Sequence, residues 1–124
     1  SDTFREGFVT YSNDAKMTRL GVKRATLEAH GAVSEEVCRE MADGARAAAG
    51  TDYALSTTGI AGPIGATPEK QVGLCFAGLA GPEGTIVRRF QFPGDREMVR
   101  LRTACFAIDM LRLALTGEAR GRMR

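Results

Sequence analysis

The chain contains no tryptophan and only two tyrosines and six phenylalanines, and it has a single histidine. Without a basic stripe interleaved with stacking aromatics, it lacks the footprint of a nucleic-acid-binding surface. Its lone His30 has no Asp or Ser partner nearby in the sequence and precedes Gly31 in what reads as a helix-ending turn. It is therefore read as a structural or surface residue. The three cysteines, Cys38, Cys75 and Cys105, are odd in number and far apart. None forms a C-x-x-C pair, and no His, Cys and carboxylate cluster has metal-ligand spacing, so neither a metal nor a cofactor is expected. Each falls in an apolar pattern and reads as a reduced core thiol of a cytoplasmic protein. Also missing are a charged-then-apolar leader and any run near the roughly 20 apolar residues that span a bilayer. The longest apolar stretch is Val72 to Ala80.

What is present is ordinary for a globular domain: 44% hydrophobic and 26% charged residues over 124 positions, with a net charge of +2. Part of that charge sits in Arg120, Arg122 and Arg124. Residues 1–117 are therefore read as one domain and 118–124 as a basic, solvated tail. The order of elements predicts α/β layering. Phe8 to Tyr11 is a β-prone run that passes into Ser12 and Asn13, which can cap a helix over Ala15 to Leu20. Ser34 caps a second helix, with Glu35 and Glu36 in its first turn and a stripe of Val37, Met41, Ala45 and Ala48 ending at Gly50. Tyr53 to Thr58 reads as a strand. Val72 to Ala80, apolar on both alternating faces, reads as a central strand covered from both sides. The turn at Gly81 to Gly84 joins it to an antiparallel strand over Thr85 to Phe92. Asp95 caps a long last helix. Its buried stripe is read as Leu101, Ala104, Cys105, Ile108, Leu111 and Leu115, with Arg96, Arg100 and Arg112 facing water.

Two stretches exceed what core building requires. In Thr10 to Lys16, the lysine falls near the start of a helix, where the dipole disfavours a cation. That field and partial burial would lower its pKa and make a neutral amine available as a general base. A solvated surface lysine is the plain alternative. Tyr11 has the same two faces: a hydroxyl near the amine, or a core side chain satisfied locally. Ser12 is better explained as a cap than as a nucleophile. The second stretch, Thr58 to Lys70, carries Gly59, Gly62 and Gly65 just after a strand end. Sheets of this class place ligands there, and glycines let backbone amides approach an oxyanion. It matches neither a P-loop nor G-x-G-x-x-G, and a plain surface loop is the other reading.

Taken in order, Gly7-Phe8-Val9-Thr10-Tyr11-Ser12-Asn13-Asp14-Ala15-Lys16, His30-Gly31-Ala32-Val33-Ser34-Glu35-Glu36-Val37, Thr58-Gly59-Ile60-Ala61-Gly62-Pro63, Thr67-Pro68-Glu69-Lys70, Val72-Gly73 and Gly94-Asp95-Arg96 resemble the C-terminal domain of CinA-type proteins, the nicotinamide-nucleotide amidohydrolases. The resemblance implies a three-layer α/β/α sandwich with a mixed sheet. It also implies hydrolysis of nicotinamide mononucleotide to nicotinic acid mononucleotide and ammonia by a serine–lysine mechanism, with Lys16 as the lysine and Tyr11 in the site. Substrate contacts would come from Asn13, Thr58, Gly59, Ile60, Ala61, Gly62, Thr67, Glu69 and Lys70. The family's nucleophilic serine lies in an Ala-Glu-Ser-Cys-Thr-Gly-Gly motif preceding the region matched here, so the expected partner is either that segment or a second copy of the chain. Ile64, Ala66 and Gln71 stand where the family commonly has Asp, Gly and Pro. The competing expectation is a non-catalytic module that binds a nucleotide or a partner.

Overall fold

The computed structural model describes residues 2–117, so the expected tail lies outside the described residues. The elements run α1 (Asn13–Leu20), α2 (Arg24–His30), α3 (Glu35–Ala49), β1 (Ala54–Gly59), β2 (Leu74–Gly81), β3 (Gly84–Gln91) and α4 (Arg96–Thr116). The three strands lie in the order β1-β2-β3. Thr57 pairs with Ala77 and Ala77 with Arg88 across two antiparallel ladders. A mixed sheet was expected; among the described residues every pairing is antiparallel, because a tight turn reverses β2 into β3 and β1 runs against β2.

Every residue of β2 is buried, as its two-faced apolar pattern requires. Side chains alternate along the strand. Leu74 and Phe76 meet Cys38 of α3, while Ala77 and Leu79 meet Ala107 and Met110 of α4. The sheet is thus sandwiched between α3 and α4, and α1 and α2 extend the α3 side through a core of Leu20, Val22, Leu27, Val37, Met41 and Ala45. Close approach of α3 depends on Gly78, where a Cβ would stand 2.6 Å from Ser56 Oγ and 3.2 Å from Cys38 Sγ. Ser56 in turn donates to the Cys38 carbonyl (2.7 Å), so its buried hydroxyl is satisfied.

Several expectations are corrected. Phe8 to Tyr11 forms no strand and has no regular secondary structure. A strand needs a ladder partner, and none adjoins it among the described residues. Phe8 and Thr10 face inward while Val9 and Tyr11 are 82% and 81% exposed. Ala48 of α3 is exposed, with Cys38 and Ala42 buried beside the expected Val37, Met41 and Ala45. In α4 the buried stripe is Val99, Thr103, Ala107, Met110 and Leu113, whereas Leu101, Ala104, Cys105, Ile108 and Leu115 are exposed and Leu111 is half-buried. The helix is apolar on two opposite faces. Thr103 made the true stripe look polar, yet its hydroxyl is satisfied within the helix by the Val99 carbonyl at 2.7 Å.

Cys105 is accordingly no core thiol, unlike Cys38 and Cys75. Burial pushes the Cys38 thiol up to about 11, and burial likewise raises Cys75. Thiolate chemistry at neutral pH is thereby suppressed at both. A maleimide should label Cys105 alone in the native protein and all three cysteines once it is unfolded. Fast native labelling of Cys38 or Cys75, read by peptide mass, would contradict this core.

Candidate active site

Lys16 sits in α1, which begins after the cap residue Ser12, itself extended (φ −84, ψ 154), whose hydroxyl accepts from the Ala15 amide at 3.0 Å. Gly21 closes the helix in the left-handed region, donating to the Lys16 and Met17 carbonyls. The Lys16 side chain is only 6% exposed. Its Nζ turns back to donate to the carbonyls of Thr10 (2.5 Å) and Tyr11 (3.4 Å), so the segment before the helix holds the amine. Burial lowers its pKa from the usual lysine value, and among the described residues no carboxylate pairs with it. Burial without a counter-ion disfavours the ammonium form, so the amine gives up its proton more readily than an exposed lysine does. The surface reading of Lys16 is therefore overturned. Tyr11 meets the amine only through its carbonyl, while its side chain is exposed.

The glycine loop is braced at several points. Thr58 Oγ1 donates to the Ala32 carbonyl (2.8 Å) just after α2. The β1–β2 ladder continues past Gly59: Ile60 N–H donates to Leu74 O (2.9 Å), and Gly73 N–H donates to Ile60 O (2.7 Å). The Ile60 amide is thus spent in the sheet and offers nothing to an oxyanion, and its side chain is buried. Thr67 and Lys70 close a turn by exchanging backbone bonds of 2.8 and 3.2 Å, with Thr67 Oγ1 accepting from the Lys70 amide at 3.0 Å. Lys70 Nζ donates to the His30 carbonyl (2.5 Å) at the negative end of α2, which ties the loop to that helix. Gly62, followed by a cis bond to Pro63, has φ +90. A Cβ there would lie 2.6 Å from Val72 Cγ1.

The structure brings the expected residues into separate groups: Lys16 with Thr10 and Tyr11, Thr58 with Ala32, and Lys70 with Thr67 and His30. Ala61 is half-buried and Glu69 exposed. Asn13, exposed at the start of α1, lines a hollow of about 270 Å³ with Met17, Arg24, Leu27 and Glu28. His30 engages Glu36 on the surface, Nδ1 to Oε2 at 3.4 Å.

Two contributors escaped the sequence reading. Arg96, expected to face water, donates to the Gly62 carbonyl at 3.1 Å and braces the loop from α4; the Gly94-Asp95-Arg96 motif was its only signal. Glu40 caps α2 from α3. Its carboxylate accepts from the Lys23 amide (2.8 Å) and Thr26 Oγ1 (2.6 Å), because α2 has no side-chain cap of its own. Glu40→Ala should cost about 1–2 kcal/mol in urea unfolding, the usual range for a lost cap. No change in the urea midpoint would show that α2 holds without it.

The arrangement defines an α/β/α domain with a carbonyl-held, counter-ion-free lysine at a helix start and a braced glycine loop at a strand end. The chain belongs to the CinA C-terminal domain family, whose model matches residues 1–115. It is 52% identical over 118 residues to a competence-damage inducible protein of Caldanaerobacter subterraneus subsp. tengcongensis, covering 95% of this chain and 29% of that protein. A CinA-like protein of Kosmotoga olearia is 55% identical over 115 residues, covering 93% and 28%. Among solved structures, the competence/damage inducible protein CihA from Agrobacterium tumefaciens superposes with a TM-score of 0.84 at 40% identity, covering 89% of this chain and 67% of that one. A CinA superfamily protein of Escherichia coli superposes with a TM-score of 0.81 at 35% identity, covering 85% and 61%. The chain therefore spans less than a third of the length of these curated relatives. Among the described residues, no helix is long and apolar enough to cross a membrane.

Proposed function

We propose that this domain supplies the base and part of the substrate pocket of a nicotinamide-nucleotide amidase, with the nucleophilic serine carried on a polypeptide segment that precedes the matched region in family members. The carrying observation is Lys16: buried, lowered in pKa, held by two carbonyls and without a carboxylate. In this reading the neutral amine takes the serine proton as the oxygen attacks the carboxamide carbon of nicotinamide mononucleotide. The resulting ammonium then returns the proton to the departing nitrogen, which releases ammonia and leaves an ester on the serine. Water, deprotonated by the same amine, attacks the ester, and the proton passes back to the serine oxygen as nicotinic acid mononucleotide leaves. In the same reading the glycine loop borders the substrate, held by the bonds of Lys70 to the His30 carbonyl and of Arg96 to the Gly62 carbonyl. Three cysteines without a disulfide suit a reducing cytoplasm.

Ammonia release from nicotinamide mononucleotide tests the reading. The chain alone should release none, and the chain joined to or mixed with a segment bearing the Ser-Cys-Thr-Gly-Gly motif should release it. Activity of the chain alone would place the nucleophile among its own residues. Tight nucleotide binding with no turnover in either preparation would favour the non-catalytic module.

A further inference from the structure

Among the described residues the Lys16 amine is held by backbone alone, through the consecutive carbonyls of Thr10 at 2.5 Å and Tyr11 at 3.4 Å. A neutral amine has two N–H groups and one lone pair, and protonation turns the lone pair into a third N–H. With two carbonyls taking the two N–H groups, the lone pair occupies the tetrahedral position left over. A proton therefore arrives from one side, and its arrival breaks neither bond.

The same carbonyls bear on the charge. Burial disfavours the ammonium, whereas an acceptor bonded to it favours it, so each carbonyl partly offsets the loss of water. Charged neighbours do not share this task. Arg5 and Glu6 before the helix, Asp14 and Arg19 on α1, and Arg24 and Glu28 on α2 are exposed. On α3, Glu35 pairs with Arg39 and Glu36 with His30. Glu40 serves Lys23 and Thr26, Asp43 accepts from Thr85, and Arg46 donates to the Asp52 carbonyl.

Phe8 places the carbonyls. Its ring is half-buried against the core shared by α1, α2 and α3, and Thr10 is buried two residues on, while Val9 and Tyr11 are exposed. Among the described residues, positions 8–11 hydrogen-bond only to Lys16. Packing of Phe8 and Thr10 is thus what seats them.

We propose that the Thr10 carbonyl, seated by the Phe8 ring, is the positioning group of Lys16, fixing the side from which the amine takes up a proton and supporting the ammonium once it forms. The catalytic use of that direction rests on the amidase reading; the seating of the amine does not.

The test is an NMR titration of the lysine ε-carbons in the intact chain, whose lysines are Lys16, Lys23 and Lys70; Lys16→Met identifies the signal. The readout needs no turnover, so its failure is distinct from a failure of the amidase reading. Replacing Tyr11 by its α-hydroxy acid turns the Thr10–Tyr11 peptide into an ester, whose carbonyl is a weaker acceptor, and leaves every side chain in place. The amide N–H it removes has no protein acceptor among the described residues. The Lys16 pKa should fall by about 0.5–1 pH unit. Phe8→Ala should move it the other way, toward the ordinary 10.5, because a released segment lets water reach the amine. Phe8→Leu, which still fills the site, should keep the wild-type titration. An ester that leaves the pKa in place or raises it overturns the proposal, since the carbonyl then gives the ammonium no support. Phe8→Ala titrating like the wild type overturns the seating. Should Phe8→Ala fail to fold, the ester still decides, because it leaves the core untouched.

Discussion

On the proposed amidase reading, Lys16→Ala in the chain joined to the serine-bearing segment is expected to lower kcat for ammonia release by about 10²–10⁴ with little change in nucleotide binding, the range over which a positioned base contributes. Lys16→Arg should be equally inactive, since a guanidinium cannot give up its proton in this range. A rise in KM at unchanged kcat would make Lys16 a binding residue instead. The pH profile is a second readout. A base works when deprotonated, so kcat/KM should rise with pH through the lowered lysine value and level off before the ordinary 10.5. Stability follows the same group. Well below the folded pKa, both states are protonated and the full cost of burying the ammonium is present. Between the folded value and 10.5 the unfolded chain holds more protons, so stability increases with pH and then becomes level. Lys16→Met should remove that increment from a urea titration repeated across pH. If wild type and Lys16→Met show parallel pH dependence, the amine is not buried in solution.

Most of the site's first element was legible because its causes are local. A capping serine, a helix start and a glycine stop fix α1 from within a dozen positions, and Lys16 follows from that placement. The two-faced burial of β2 was legible for a similar reason, since only a strand covered on both sides reads apolar at every position. The rest depended on distant partners. Phe8 to Tyr11 has the composition of a strand, but composition cannot supply the neighbouring chain to which a strand must bond. The cap of α2 comes from Glu40, 17 residues beyond the amide it serves. A pattern search confined to one helix assigns such a carboxylate to solvent. The α4 stripe was assigned to the wrong side because two apolar faces satisfy the same 3.6-residue period. The sheet decides between them by offering Ala77 and Leu79 to whichever face fits.

Replacing Gly44 by alanine is expected to destabilise the domain by about 1–3 kcal/mol, although alanine is the better helix former by about 1 kcal/mol. A Cβ at Gly44 of α3 would stand 1.7 Å from the Leu20 carbonyl oxygen and 2.7 Å from its carbon. Both are backbone atoms, so no side-chain rotamer can relieve the clash, and one helix must move away from the other. Leu20 ends α1 and is buried in the core that holds the two helices together. Its displacement therefore spreads into apolar packing. Urea unfolding should show a lower midpoint at unchanged slope, the sign of lost stability rather than an altered unfolded state. Lys16 lies one turn before Leu20 on the same helix. If α1 swings outward, the amine regains water, its pKa returns toward the ordinary value, and the rising limb of the activity profile moves to higher pH. A Gly44→Ala protein that gains about 1 kcal/mol, the propensity difference alone, would show that α1 yields freely and that its seat on α3 does not set the position of the amine.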